Sequence, residues 1–289
     1  MLTNTYQNVN GTGGELLLGV MGDPIAQSKS PAMHTAALRA LNISGAYVPL
    51  HIAPERLGDA VQAIRTLGFR GVNVTIPHKV AVMPYLDRLD ASALSVGAVN
   101  TIVNDKGVLT GYNTDGIGYV RSLKAEAAPD ISGARIVVLG AGGAARGIVT
   151  ALLQERPERI FIANRTPDKA EELAEACRNG GNVSGIAMDD IGEAVAAADI
   201  VINTTSVGMY PHPDGLPLDP ALLKPGQIIS DLIYNPLYTR LLTEAQELGC
   251  RIHGGLGMFV YQGAYALEYW TGLTAPVETM RRTVVESLG

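Results

Sequence analysis

The sequence predicts an α/β protein in two domains, the second built as a doubly wound parallel sheet. Three observations carry that prediction. Short β-branched runs alternate with amphipathic helical stretches along most of the chain. One such run, Arg135–Leu139, stops at a glycine cluster and passes straight into helical spacing. The alternation then ends at Gly254–Gly257, after which two helices follow with no strand between them. At 289 residues there is length for two separate cores. The first domain is placed at 1–116, completed by 255–289, and the second at 117–254.

Bulk properties exclude several classes. A net charge of −6 and a pI near 5.4 argue against nucleic acid, which needs a basic face. Cys177 and Cys250 form neither a C-x-x-C pair nor a metal spacing. They point to a reducing cytoplasm and to packing as small apolar residues. The histidines at 34, 51, 78, 212 and 253 contain no pair with zinc-ligand spacing, so no metal is expected. No apolar run approaches the ~20 residues needed to span a bilayer. Met1–Gly14 is polar and lacks the basic segment and apolar core of a secretory signal, so it reads as a loose extension. A small-molecule partner is expected, with monomer and homodimer both open.

In order, Glu15–Gly22 is a buried strand ending at a turn, and Ala32–Leu41 is a helix. Ser30 before Pro31 is a good N-cap with proline at the first helical position. That leaves Ser28, in the same loop, unexplained. Two hydroxyls and a helix start after a strand would also suit an anion such as a carboxylate. Ala46–Ile52 is a second strand, Pro54–Leu67 a helix and Gly71–Ile76 a third strand. Its alternation puts Asn73 and Thr75 on one face and Val72, Val74 and Ile76 on the other. Pro77 ends it, and His78 and Lys79 follow. Polar side chains clustered at the end of an apolar strand are poor core filler. A buried lysine is rare unless paired, and its pKa falls readily enough for proton transfer. A solvated lysine at a helix start is the plain alternative for Lys79, and His78 is read as structural.

Asp90–Leu94 is helical and Ala98–Val103 a strand. Asn104–Gly107 turns it back as a hairpin into Val108–Tyr112. Asn113–Gly116 then caps a helix to about Ala127, in which Asp115 is equally an acid favoured by the helix dipole.

The second domain opens on Arg135–Leu139 and Gly140-Ala141-Gly142-Gly143-Ala144-Ala145. Gly140, Gly142 and Ala145 fit the G-x-G-x-x-G/A fingerprint of a Rossmann-type fold. Its glycines make the turn and admit a pyrophosphate, and the helix start offers free N–H groups. A second strand, Arg159–Ala163, ends at Asn164-Arg165-Thr166, with Lys169 one turn on. An NAD site usually carries an acid there for the ribose 2′-OH. A guanidinium suits the 2′-phosphate of NADP instead, and cations near the positive end of a helix are otherwise unfavourable. Beyond come a helix at Asp168–Arg178, a strand at Val183–Ala187, a helix at Ile191–Ala197 and a strand at Asp199–Asn203. The loop Thr204–Tyr210 leaves where a nicotinamide would lie. Gln227–Leu232 is a strand, Thr239–Leu248 a helix and Cys250–His253 a last short strand. Met258–Trp270 and Pro276–Leu288 are the two closing helices, expected to return to the first domain. Gln262, Tyr265 and Tyr269 share one face of the first of them.

These stretches resemble the shikimate dehydrogenase family from about Gly19 to Gly263. The matching segments are Ser28–Pro31, Asn73–Lys79, Gly97–Thr101, Asn113–Gly116, Gly140–Ala145, Asn164–Thr166, Asp231–Pro236 and Gly254–Gln262. The resemblance implies an enzyme of aromatic amino acid biosynthesis that reversibly reduces 3-dehydroshikimate to shikimate with NADPH. It implies that Ser28 and Ser30 hold the substrate carboxylate with help from Tyr234. Asn73, Thr75, Asn100 and Gln262 would read the ring hydroxyls, and Lys79 and Asp115 would flank the reacting carbonyl. NADP(H) would lie on Gly140, Ala141, Gly142, Gly143, Ala144, Asn164, Arg165, Thr166 and Lys169. It would continue along Thr205, Ser206, Gly208, Met209, Leu232, Gly255 and Met258. Thr35 departs from the asparagine common in the family. Substrate binding across two lobes implies closure, with Gly116–Gly118 and Gly254–Gly257 as candidate hinges. The rivals are an NAD-using quinate or dual quinate/shikimate dehydrogenase and a non-catalytic NADP-sensing module.

Overall fold

The computed structural model describes residues 15–288, so the extension expected over Met1–Gly14 lies outside the described residues. The chain packs as two compact units. One runs to Thr114 and resumes at Val260, and the other is Asp115–Phe259.

The first unit is a mixed six-stranded sheet in the order β2-β1-β3-β5-β6-β4. β1 (Leu16–Gly22) pairs in parallel with β2 (Gly45–His51) and β3 (Gly71–Val74). β5 (Thr101–Asp105) runs antiparallel to β3 and forms a hairpin with β6 (Val108–Tyr112). The turn of that hairpin needs positive φ at both central residues, supplied by Lys106 at 54° and Gly107 at 92°. β4 (Arg88–Leu89) joins the β6 edge. Two residues are too few to show a period, so the sequence did not announce it. One face of the sheet is covered by α2 (Leu57–Thr66), whose Leu57, Val61 and Ile64 pack with Met21, Val72 and Val74. α11 (Val277–Leu288) packs on α1 (Ser30–Ala40), and Lys29 Nζ donates to the Ser287 carbonyl at 2.7 Å. The short α4 (Ala91–Val96) is capped by the Asp90 carboxylate, which accepts from the Ser92 N–H. α10 (Gly255–Thr271) brings Trp270 onto the backbone of Gly71, where its indole N–H donates to Ile102 O at 2.9 Å. The closing helices therefore complete the first unit, and the unit boundary falls inside α10 between Phe259 and Val260.

Two local expectations are corrected. Ser30 is the first helical residue of α1 rather than its N-cap, which is Lys29, and no side chain caps the helix. The Ser30 N–H is instead taken by Ser28 Oγ at 3.3 Å. β3 stops at Val74, so Thr75 is half-buried and Ile76 is 73 % exposed rather than packed on the apolar face.

The second unit is an all-parallel sheet in the order β12-β11-β10-β7-β8-β9. The strands are β7 (Arg135–Leu139), β8 (Arg159–Asn164), β9 (Val183–Ala187), β10 (Ile200–Asn203), β11 (Ile228–Asp231) and β12 (Arg251–His253). β7 is apolar after its first residue because both its faces are covered. Ile136 and Val138 enter one core with α5 (Asp115–Glu126) and α6 (Gly143–Leu153), and Val137 and Leu139 enter the other with α8 (Ile191–Ala197) and α9 (Arg240–Glu247). α7 (Pro167–Cys177) follows β8. The strand order reverses between β7 and β10, which opens the crevice where such sheets bind ligands. Of the glycines proposed as hinges, Gly116 and Gly257 lie inside helices. A side chain on Gly116 would strike the Gly147 carbonyl, and one on Gly257 would strike the Ser122 hydroxyl. Close packing is their local role. Cys177 and Cys250 are buried and free.

Candidate active site

In the first unit the predicted substrate residues come from separate elements. Ser28 precedes α1 and Ser30 opens it, Asn73 is in β3, Thr75 follows β3, Asn100 precedes β5 and Gln262 is on α10. Lys79 is on the one-turn helix α3 (His78–Ala81). The backbone draws several of them to one end of the sheet. Thr75 N–H donates to Met21 O at 2.9 Å, Val74 N–H to Asn100 O at 2.8 Å, and Val99 N–H to Lys79 O at 2.8 Å. A side chain on Gly22 would meet Thr75 Cγ2 at 2.5 Å, so glycine there lets that end close up.

The Asn73 and Asn100 side chains belong to one connected polar chain. The Tyr47 hydroxyl donates to Asn73 Oδ1 at 2.7 Å. Asn73 Nδ2 donates to Thr101 Oγ1 at 3.1 Å and Asn100 O at 3.2 Å. Thr101 Oγ1 donates to Asn100 Oδ1 at 3.0 Å, which also takes the Thr114 N–H at 2.9 Å. Asn100 Nδ2 donates to Thr114 Oγ1 at 3.0 Å, and that hydroxyl reaches Gln262 O at 3.0 Å. Every member from Tyr47 to Thr114 is buried, and a fully satisfied buried network rigidifies its site. Sequence reasoning assigned no role to Tyr47, Thr101 or Thr114. The available signal was Thr101 and Thr114 as hydroxyls amid buried neighbours. Tyr47 offered none, because its partner is 26 residues away.

Lys79 is half-buried, and its neighbour His78 is buried with a ring nitrogen 2.7 Å from Ile52 O. That contact ties the histidine to the backbone end of β2.

In the second unit Asp115 opens α5, and the glycine loop runs from β7 into α6. Gly140 has φ +101°, and a Cβ there would meet Thr204 Oγ1 at 2.9 Å and Thr205 Cγ2 at 3.0 Å. Only glycine makes that turn without strain. A Cβ on Gly142 or Gly143 would meet nothing within 4 Å, both residues are exposed, and no side chain caps α6. Ala145 is fully buried against the sheet. An open helix start with its first N–H groups uncapped fits a pyrophosphate. Ala141 is half-buried and Ala144 exposed beside it. At the end of β8, Asn164 Nδ2 donates to Thr166 O at 2.9 Å. Arg165, Thr166 and Lys169 are exposed, and neither cation forms an ion pair with another described residue. Two unneutralised cations at this position fit a 2′-phosphate.

The loop after β10 is shaped by Asn203, whose Oδ1 takes the Thr205 hydroxyl at 2.7 Å and the Thr205 N–H at 3.0 Å. Asn203 Nδ2 donates to Asp231 Oδ1 at 3.0 Å, and Thr239 donates to Asp231 Oδ2 at 2.8 Å. Burial pushes the Asp231 carboxyl up to about 6, against the pull of the Ile233 N–H, Thr239 and Asn203. Asp231 thus ties two neighbouring loops, a function the sequence alone did not assign. Ser206 and Met209 are exposed on the first loop, and Gly208 turns it at φ +97°. On the second, Leu232 is half-buried, and Tyr234 stacks on Phe259 at 4.9 Å, where burial raises its phenol pKa. A side chain on Gly255 would strike the Leu232 carbonyl, and Met258 packs against the same core as Leu232. Among the described residues no His/Cys/Asp/Glu group is arranged to hold a metal, and no helix is long and apolar enough to cross a membrane.

Three family models match this chain. The shikimate dehydrogenase substrate binding domain covers residues 20–102, the shikimate / quinate 5-dehydrogenase model 122–210, and the shikimate 5′-dehydrogenase C-terminal domain 255–285. A shikimate dehydrogenase (NADP(+)) from Geobacillus sp. strain WCH70 is 49 % identical over 95 % of this chain and 99 % of its own. The crystal structure of shikimate 5-dehydrogenase from Thermus thermophilus in complex with NADP(H) and shikimate has a TM-score of 0.85 at 37 % identity, covering 94 % of this chain and 100 % of that one. A quinate dehydrogenase from Corynebacterium glutamicum in complex with NAD has a TM-score of 0.88 at 33 % identity, covering 94 % and 99 %.

Proposed function

The chain belongs to the shikimate dehydrogenase family; it is an NADP-dependent shikimate dehydrogenase, and we propose that Lys79 and Asp115 are its catalytic pair. It reversibly reduces 3-dehydroshikimate to shikimate. Residues 1–116 with 255–289 are assigned to the substrate and 117–254 to NADP. The observation that carries the site assignment is the buried polar chain that joins Asn73 and Asn100 through Thr101, and ends where Thr114 Oγ1 donates to the backbone carbonyl of Gln262.

NADPH, when bound, supplies the hydride for the carbonyl carbon. The uncapped start of α6 accepts its pyrophosphate, and Arg165 and Lys169 its 2′-phosphate. Ser28 and Ser30, with Tyr234, take the substrate carboxylate. Asn73, Thr75, Asn100 and Gln262 take the ring hydroxyls. As negative charge develops on the carbonyl oxygen, the Lys79 ammonium stabilises it and delivers the proton, and the Asp115 carboxylate accepts from an adjacent hydroxyl. The cytoplasm is the assigned compartment, supported by two buried cysteines that form no disulfide. The protein works as a monomer or homodimer, which sedimentation would distinguish.

The test is an absorbance assay of nicotinamide reduction with shikimate or quinate, each with NADP⁺ or NAD⁺. Turnover is expected with shikimate and NADP⁺ above all. Preference for quinate and NAD⁺ would move the chain to the quinate branch, and no turnover with any pair would leave an NADP-sensing module.

A further inference from the structure

His253 closes β12 and is 2 % exposed. Its ring lies between two fully buried serines. Ser122 Oγ on α5 is 2.7 Å from Nε2, and Ser230 Oγ on β11 is 2.8 Å from Nδ1. Tyr119, edge-on to the imidazole at 5.7 Å, donates to Ser230 Oγ at 2.9 Å, and Ser122 Oγ donates to Glu126 Oε1 at 3.2 Å. A hydroxyl has one proton to give. That of Ser122 goes to the carboxylate, so Nε2 must donate to Ser122. Tyr119 fills one lone pair of Ser230, which leaves the Ser230 proton for Nδ1. The opposite tautomer would lose the Glu126 bond and strand a hydroxyl proton between Tyr119 and Ser230. Both ends of the chain therefore set one form, a neutral imidazole protonated on Nε2.

These bonds meet where the cofactor segments begin. Ser230 and His253 are register partners, and the residues that follow them are Asp231-Leu232 and Gly254-Gly255. The first turn of α10 rests on the same groups, because a side chain on Gly257 would strike Ser122 Oγ and Glu126 Oε1. Two residues earlier, Gly255 backs onto the Leu232 carbonyl. We propose that His253 is a positioning residue for the cofactor: through Ser122 its Nε2–H holds the first turn of α10, and with it Gly255 and Met258, in place for NADP(H). This rests on the assignment of Leu232, Gly255 and Met258 to the cofactor.

Ser122→Ala, a change favourable inside a helix, removes the acceptor of Nε2 and keeps the imidazole. The Kd for NADP⁺ from titration calorimetry should rise about ten-fold, as expected for a buried donor left unsatisfied. The KM for shikimate should stay within about two-fold. His253→Gln puts an amide N–H near the place of Nε2–H and should bind NADP⁺ within about three-fold of the parent. His253→Asn ends at the place of Nδ1, short of Ser122, and should match the loss in Ser122→Ala. Both variants lose the same ring, so a loss in His253→Gln at least as large as in His253→Asn makes the ring mere filler and overturns the proposal. An unchanged Kd in Ser122→Ala also overturns it. Should neither histidine variant fold, NMR of the ring nitrogens in the unmodified protein reads the tautomer, with His253 identified by the signals that move in Ser122→Ala. Protonation on Nε2 alone is expected at neutral pH, and an Nδ1–H tautomer or an imidazolium overturns the proposal. Failure of the unmodified protein to bind NADP⁺ overturns the cofactor assignment instead.

Discussion

Lys79 and Arg165 carry the sharpest tests at the scale of single residues. Lys79 is half-buried on a one-turn helix. Lys79→Ala should lower kcat at least ~10²-fold, the low end for general acid–base work, with a modest change in KM. Near-normal turnover would remove Lys79 from the chemistry. Arg165 is exposed and forms no ion pair with another described residue, so its charge is available to a ligand. Arg165→Ala should weaken NADP⁺ about 10- to 100-fold, the scale of hydrogen bonds to charged groups, and leave NAD⁺ nearly unchanged. Equal losses for both cofactors would show that the guanidinium does not read the 2′-phosphate.

Among the elements, the strand ends of the second unit and the start of α10 depend on glycines pressed against backbone. The first turn of α10 lies against the chain leaving β11, where Gly255 backs onto the Leu232 carbonyl. Gly255→Ala must displace one of them, an overpacking cost of about 1–3 kcal/mol. A lower melting temperature together with weakened NADP⁺ binding is expected, and thermal melts with cofactor titration would show it. An alanine variant matching the parent in both would mean that the Leu232 loop yields freely. The helix start of α6 is the opposite case, since Gly142 and Gly143 face open space. These helices were legible from apolar spacing. The packing role of Gly116 and Gly257 was not, because a glycine in a sequence does not say which backbone approaches it.

At the scale of the molecule, the buried groups His34 and Asp231 have opposite effects on pH stability. Burial lowers His34 to about 3 from 6.5, and neither ring nitrogen has a hydrogen-bond partner in the protein. The stability this neutral histidine contributes is present above pH 6.5 and lost as pH falls toward 3. Asp231 has a folded pKa of about 6, above its usual 3.8. Its contribution is full below 3.8 and lost as pH rises through 6. Melting temperature followed across this range should therefore change slope in opposite senses: His34→Phe flattens the acid-side loss, and Asp231→Asn flattens the loss on rising from about 4 to about 6. Unchanged slopes in either variant would show that its group does not titrate differently on folding.

From the residues alone came the α/β class, the strand–helix order, the glycine loop and the cations after β8, while the grouping of Ser30, Asn73, Asn100 and Gln262 as substrate residues came from the family resemblance. These rest on local features: apolar period, turn chemistry, charge and short motifs are written into neighbouring positions. Tertiary structure decided that Lys29 rather than Ser30 holds the N-cap position of α1, that β3 ends before Thr75, and that Tyr47, Thr101 and Thr114 join Asn73 and Asn100 into one chain. The chain depends on partners far apart in sequence, and a hydrogen bond between distant residues exists only once packing has oriented its donor and acceptor.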